Sequence, residues 1–384
     1  MSKHDFPAAE FASRLSKVRE AIGGAGLDWL VLFHPVSIHW LTGSDAKSYQ
    51  ALQCLFVSAR PGPLGVLMRE GERNEYRDDT LVDDIWGWGG AEPEDPVDVF
   101  ERVADSLDLR KGRVGIEVPA YYLHPHQYLR IKSFLGSSLV AEPTNLVNDL
   151  KLVKSPAELA YIRRAGRIAD QAMAAFAAML KEGNTELQAA GEVYRTLLFN
   201  GSGLAASTLN LVSGERAGFS HGAPTERKLR RGDFGNIEYG AAYRRYTVTI
   251  GRQFCLGEPT PRMRELYEVV RCAADALIRE VRAGVPAVVP HEAAKKVIAQ
   301  AGFDKYRVHT SGYGIAPGFP PSWGEPVNMF NGNPYTLQAG MVVSVEPPVF
   351  IGEEKLGARI IDNVLVTNDG AEIISSCRRD LIVA

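Results

Sequence analysis

Cysteine is scarce in this sequence: four in 384 residues, at Cys54, Cys255, Cys272 and Cys377. None forms a C-x-x-C pair, and no Cys/His spacing suits structural zinc. Reduced, mostly buried thiols of a cytosolic protein are the expectation, not a disulfide framework. Long apolar runs are also missing. No stretch approaches the roughly 20 residues that span a bilayer. The start, MSKHDFPAAEFASRLSKVRE, has no apolar signal-peptide centre and reads as a short tail entering a helix. A cytoplasmic location and no membrane partner follow as expectations. Neither sign of charge dominates: 43 Lys+Arg stand against 46 Asp+Glu, for a net charge of −3. That balance gives no reason to expect nucleic acid as a partner. The local clusters Arg227–Arg231 and Arg244–Arg245 read as solvated faces or turns. No internal sequence repeat stands out.

What is present is ordinary for a globular chain: 45% hydrophobic and 23% charged residues, and length enough for two or three domains. Phe11, Leu15, Val18 and Ile22 recur at helical spacing, so residues 10–26 read as an amphipathic helix ended by Gly23, Gly24 and Gly26. WLVLF (Trp29–Phe33), Leu55–Val57, Leu64–Met68 and Val114–Pro119 read as strands, with a helix near Val97–Leu109. Strands alternating with helices predict an α/β first domain. A linker is expected near residues 141–154. After it, KSPAELAYIRRAGRIADQAM carries a Ser155/Glu158 capping box, Pro156 in the first turn, and a core stripe of Leu159, Ile162, Ala169 and Met173. Further helices are predicted from Asn184 through Leu198, from Thr260-Pro261 to before Gly284, and after Pro290. Strands are predicted at Phe234–Tyr239, Tyr246–Phe254, Met341–Val345 and Ile360–Val366.

The run from Ser220 to Phe254, SHGAPTERKLRRGDFGNIEYGAAYRRYTVTIGRQF, resembles the core hairpin of the pita-bread hydrolases, the group of creatinase, the proline aminopeptidases and methionine aminopeptidase. The KSPAE helix start, GMVVSVEPPVF (Gly340–Phe350) and GARIIDNVLVTNDG (Gly357–Gly370) follow in the same order. The resemblance implies a creatinase-like α/β N-terminal domain over residues 1–145 and an α+β pita-bread catalytic domain over 146–384. It also implies a homodimer, with the loop His39–Tyr49 bordering the partner's pocket. In metal-dependent members five side chains bind metal. Here the matching positions are Glu238, Thr249, Tyr313, Glu346 and Ile361, so no metal and no cofactor are expected. Within the group the closest likeness is to ectoine hydrolases, through GFPPSWGEP (Gly318–Pro326), the hairpin with Glu238, Tyr246 and Arg252, and the segment Ser37–Val57.

That resemblance implies a metal-independent hydrolase opening a non-peptide C–N bond of a small cyclic amidine or guanidino compound, ectoine first among them. The substrate is expected to be small and zwitterionic or cationic. His221, Glu238 and Glu346 are the implied catalytic set: the histidine moves the proton, and the glutamates hold a cationic substrate through charge-assisted hydrogen bonds. Tyr313, Trp323, Glu325, Tyr246, Arg252, His39 and Trp40 are candidates for substrate contact. Each has a plainer alternative. His221 lies in an exposed-looking loop, Glu238 faces either pocket or solvent, Tyr313 and Trp323 pack, and Arg252 pairs with Glu346 or Asp362. His309 reads as a structural hydrogen-bonder. Two other functions stay open: a metal-dependent Xaa-Pro dipeptidase or aminopeptidase, and a non-catalytic pita-bread binding module.

Overall fold

A computed structural model describes residues 3–45 and 47–384. Met1 and Ser2 of the expected tail, and Ala46 within the 37–57 segment, lie outside the described residues. The chain forms two compact units that divide between Lys151 and Leu152.

The first unit is built on a six-stranded sheet in the order Asp84–Trp88, Gly65–Arg69, Cys54–Ser58, Trp29–Leu32, Val114–Ile116, Leu139–Ala141. Both faces are covered. Leu30 and Leu32 enter the core beneath Val18 and Ile22, whereas Val31 and Phe33 enter the opposite core with Phe56, Phe100 and Ile131. Burial on both faces explains why WLVLF is a continuous apolar run without alternation. The expected helix at 10–26 is Ala8–Gly24, and its inner face includes Arg14. The Arg14 guanidinium pairs with Glu10 at 2.6 Å and donates to the Trp40 carbonyl at 3.0 Å. The helix Pro96–Ser106 starts where Asp95 accepts the Val97 amide at 2.8 Å. Part of the expected linker is a helix, Leu146–Lys151, whose Val147 packs in the same core as Val18. The unit therefore extends past residue 145.

The second unit centres on a nine-stranded sheet. Its main path runs Ala371–Ile373, Asp362–Val366, Val342–Val345, Tyr313–Phe319, Tyr246–Cys255, Phe234–Tyr243, Asn210–Ser213. Ser322–Asn328 pairs with Tyr313–Phe319 off this path. The long hairpin of Phe234–Tyr243 and Tyr246–Cys255 closes through Arg244 and Arg245, both at positive φ, 51° and 67°. Two left-handed residues make a turn whose twist matches the strands. The side chains offset that strain by packing: Arg245 lies over Phe319 at 4.1 Å and Arg244 over Tyr161 at 5.3 Å. The basic pair is thus a turn.

The helix Pro156–Met179 begins with the expected capping box: Ser155 Oγ accepts the Glu158 amide at 3.2 Å, and Glu158 accepts the Ser155 amide at 2.8 Å. Ile162, Ala169 and Met173 are buried along it. Glu186–Phe199, Pro261–Glu280 and Val288–Gln300 complete the helices of this unit. The last starts before Pro290, which sits in the first turn where its missing N–H costs no hydrogen bond.

Candidate active site

A cavity of about 310 Å³ opens in the second unit. The strand Phe234–Tyr243 supplies Glu238, the segment before it supplies His221, and the hairpin Tyr313–Phe319/Ser322–Asn328 supplies Tyr313, Trp323 and Glu325. A larger open concavity, about 850 Å³, lies on the first unit. Three of its acidic residues are engaged in local structure: Glu70 with Arg73, Glu94 with Arg102, and Glu72 with the Ser48 amide. It carries no convergent set for chemistry, so the smaller cavity is the candidate site.

Glu238 faces Asn210 across the sheet, and Asn210 Nδ2 donates to its Oε2 at 3.0 Å. The same oxygen pairs with the buried Arg359 guanidinium. Arg359 also donates to the Ser220 carbonyl at 2.7 Å and lies over the Phe350 ring at 5.3 Å. Glu346 follows the strand Val342–Val345. Ser344 Oγ donates to its Oε1 at 2.9 Å, and the Tyr313 hydroxyl also bonds it.

Both hydroxyls are oriented by N–H donors on their far sides. Tyr313 N donates to Ser344 Oγ at 3.1 Å, and Trp323 Nε1 donates to the Tyr313 oxygen at 3.1 Å. An indole nitrogen only donates, so the Tyr313 hydrogen is left for the carboxylate. Burial and then the charge of Glu238 push Glu346 up to about 8, while Arg359, Ser344 and Tyr313 pull it down. Burial likewise raises the Tyr313 phenol well above its usual value. His309 sits behind His221, with ring centroids 5.9 Å apart. Its Nδ1 contacts the Thr310 carbonyl at 2.9 Å, which assigns the proton to that nitrogen, and burial lowers its basicity.

The structure brings His221, Glu238, Tyr313, Trp323 and Glu325 to one cavity and places Glu346 against Tyr313. Four other candidates lie elsewhere. Tyr246 is fully buried, and its hydroxyl donates to Glu158 at 2.8 Å, so it ties the hairpin to the helix. Arg252 forms a buried pair with Asp362 at 2.7 Å and donates to the carbonyls of Ile361, Cys377 and Arg378. It clamps the C-terminal segment, the plainer of its two readings. His39 and Trp40 are buried in the first unit, where His39 Nδ1 meets the Ser44 carbonyl at 2.9 Å. Sequence reasoning missed Arg359 and Lys154. The Lys154 ammonium pairs with Glu325, with both side chains buried. A cation beside an apolar strand, as in GARII, was the available signal, because a buried cation requires an anion.

The fold and site define a two-unit hydrolase: a creatinase-type N-terminal unit and a pita-bread catalytic unit. The chain belongs to metallopeptidase family M24, whose model matches residues 160–368, and the Creatinase/Prolidase N-terminal domain matches 14–153. It is similar to the crystal structure of dipeptidase PepE from Mycobacterium ulcerans, with a TM-score of 0.85 and 29% identity, covering 98% of this chain and 99% of that one. A probable dipeptidase PepE of Mycobacterium bovis is 28% identical, covering 100% of this chain and 99% of the relative. A dipeptidase structure from Pyrococcus horikoshii has a TM-score of 0.84 at 26% identity, covering 97% of this chain and 100% of that one. None of these relatives is an ectoine hydrolase.

The family's name implies metal, and the donor set can be tested against it. At the five matched positions, Thr249 is fully buried and its Oγ1 has no hydrogen-bond partner. Ile361 offers only carbon and packs against Gly251. The Tyr313 oxygen already accepts from Trp323, and Glu238 is engaged by a guanidinium. Among the described residues no group of three or more His, Cys, Asp or Glu is placed to hold a metal ion. These residues do not fit a dinuclear centre.

Proposed function

We propose that this chain is a hydrolase that cleaves the peptide bond of a small, dipeptide-sized substrate in the cavity formed by His221, Tyr313 and Trp323. The observation that carries the reading is the near-complete coverage of both this chain and the PepE dipeptidases. A cavity of about 310 Å³ suits a ligand of that size.

This corrects the expected metal-independent opening of a cyclic amidine such as ectoine. The relatives are named dipeptidases, and the electrostatics give a physical reason for the change. That expectation needed glutamates with charge available for a cationic substrate. Instead Glu238 is paired with Arg359 and Glu325 with Lys154. Glu346, up at about 8, is mostly protonated at neutral pH. A neutral amide suits such a wall better than an amidinium does.

In the proposed reaction, His221 takes a proton from the attacking water as its oxygen bonds to the carbonyl carbon. The C–N bond then breaks, and the Glu346 carboxyl gives its proton to the leaving nitrogen. The His221 proton returns to Glu346 through solvent. A Glu346 carboxyl at about 8 can exchange its proton near neutral pH. The exposed apolar residues Leu198, Phe199 and Leu204 support a homodimer as part of the same reading. Four free thiols support the cytoplasm.

The test is a mass-spectrometric time course on a panel of Xaa-Pro and other dipeptides, run with added manganese or cobalt and with chelator. Release of both free amino acids from at least one dipeptide is expected. Intact dipeptides under every condition would overturn the reading.

A further inference from the structure

The segment that carries His221, between the strands Asn210–Ser213 and Phe234–Tyr243, has little regular structure beyond the turn Gly214–Arg216. Its shape is set from a distance. Glu186 lies in the first turn of the helix Glu186–Phe199, fully buried. Its carboxylate accepts from Ser213 Oγ at 2.7 Å, from the Thr225 amide at 3.0 Å and from Thr225 Oγ1 at 2.8 Å, and it pairs with Arg216. The other terminal nitrogen of Arg216 donates to the Ala223 carbonyl at 2.6 Å. One carboxylate thus gathers both ends of the segment, and Arg216 extends the grip to a residue close to the histidine.

Two further contacts hold the carbonyls of the residues flanking His221. The Ser220 carbonyl accepts from Arg359, and the Gly222 carbonyl accepts from the Leu211 amide at 2.9 Å. A Cβ at Gly222 would stand 2.2 Å from Val212 Cγ1, so only glycine allows that approach. A buried carboxylate met by a cation and three more donors is well satisfied.

We infer that Glu186 is a positioning residue for His221: its carboxylate closes the segment 213–225 through Ser213, Thr225 and Arg216, and so fixes where the imidazole meets the cavity. The inference rests on the reading that His221 takes part in the reaction. Without the clip the segment gains loop freedom, and a shift of about 1 Å in a reacting group can cost on the order of 100-fold in rate.

Glu186→Gln keeps the side chain's shape and removes its charge. Arg216→Met removes the ion pair with Glu186 and the extension to Ala223, leaves Ser213 and Thr225 on the carboxylate, and serves if the first variant does not fold. Either variant should lower kcat on a cleaved dipeptide by about 10- to 100-fold with KM little changed. Amide exchange should speed up across 214–224 while the helices Pro156–Met179 and Pro261–Glu280 keep their protection. In a His221→Ala background the same substitution should cost nothing more, because the group it positions is gone. Unchanged exchange in 214–224, or a loss that multiplies with that of His221→Ala, overturns the inference. If no dipeptide is cleaved, amide exchange and the imidazole NMR signals of His221 decide it alone. One set of ring signals in the parent and several in Glu186→Gln support it; identical spectra and exchange refute it.

Discussion

Arg359 is the residue whose removal should be felt most widely. Its guanidinium is the cation paired with buried Glu238, and it also holds the carbonyl beside His221. Stripping one partner from a buried ion pair costs about 3–5 kcal/mol, because the other charge stays behind. Arg359→Met should therefore lower unfolding stability by about 3 kcal/mol, and Arg359→Met/Glu238→Met should recover much of it. Denaturant titrations of the two variants check both statements. The same charges set the pH profile. Glu346 stands at about 8, so a carboxyl that donates a proton loses that ability as pH rises through 8, and kcat should fall on that side. Glu238 is one cause of the elevation. Glu238→Gln should move the alkaline limb to lower pH, and a limb that stays in place would clear Glu346 of the acid's role. The sequence showed Glu346 as a carboxylate in an apolar strand. It hid the partners of Arg359 and Lys154, which lie 121 and 171 residues away, because partners at such separation leave no local pattern.

At the scale of elements, the helix Pro35–Thr42 shows what the periodicity could not. It is buried throughout, so it has no polar face to mark a helical period. Its start depends on His34, whose Nδ1 accepts the Val36 amide at 3.1 Å. Burial, then the charge of Lys151, lowers His34 from 6.5 to about 3. The neutral ring is the folded form. Stability from this group is present above pH 6.5 and is lost as pH falls from there toward 3. His34→Asn keeps a capping oxygen without the titration, so its unfolding free energy should fall less between pH 6.5 and 4.5 than that of the parent. Parallel losses would refute the cap's part in acid sensitivity. The hairpin Tyr313–Phe319/Ser322–Asn328 was also illegible as strands. Glycine and proline interrupt both strands, and the register shifts at two places. The capped helices were legible because caps are local signals, and the long hairpin was legible through its resemblance to the pita-bread core hairpin.

For the whole molecule, the two-unit plan was readable from the change between strand-helix alternation and long capped helices. The boundary was placed early, because a short helix at 146–151 packs back into the first core. The assembly remains a surface question. Phe199 is 82% exposed, Leu204 67% and Leu198 53%, all close in sequence. On the proposed homodimer, these residues are the expected interface. Light scattering on the purified chain should give twice 42.0 kDa, and Phe199→Glu/Leu204→Glu should shift it toward the monomer. A monomeric parent with full activity would refute the dimer.

The central claim is that His221 and Glu346 together hydrolyse a dipeptide. Its most direct test is the turnover of the best-cleaved dipeptide by the parent, His221→Ala and Glu346→Gln, each confirmed folded. The account predicts a fall in kcat of roughly 100-fold or more for each variant. Turnover within a few-fold of the parent in either variant would contradict it.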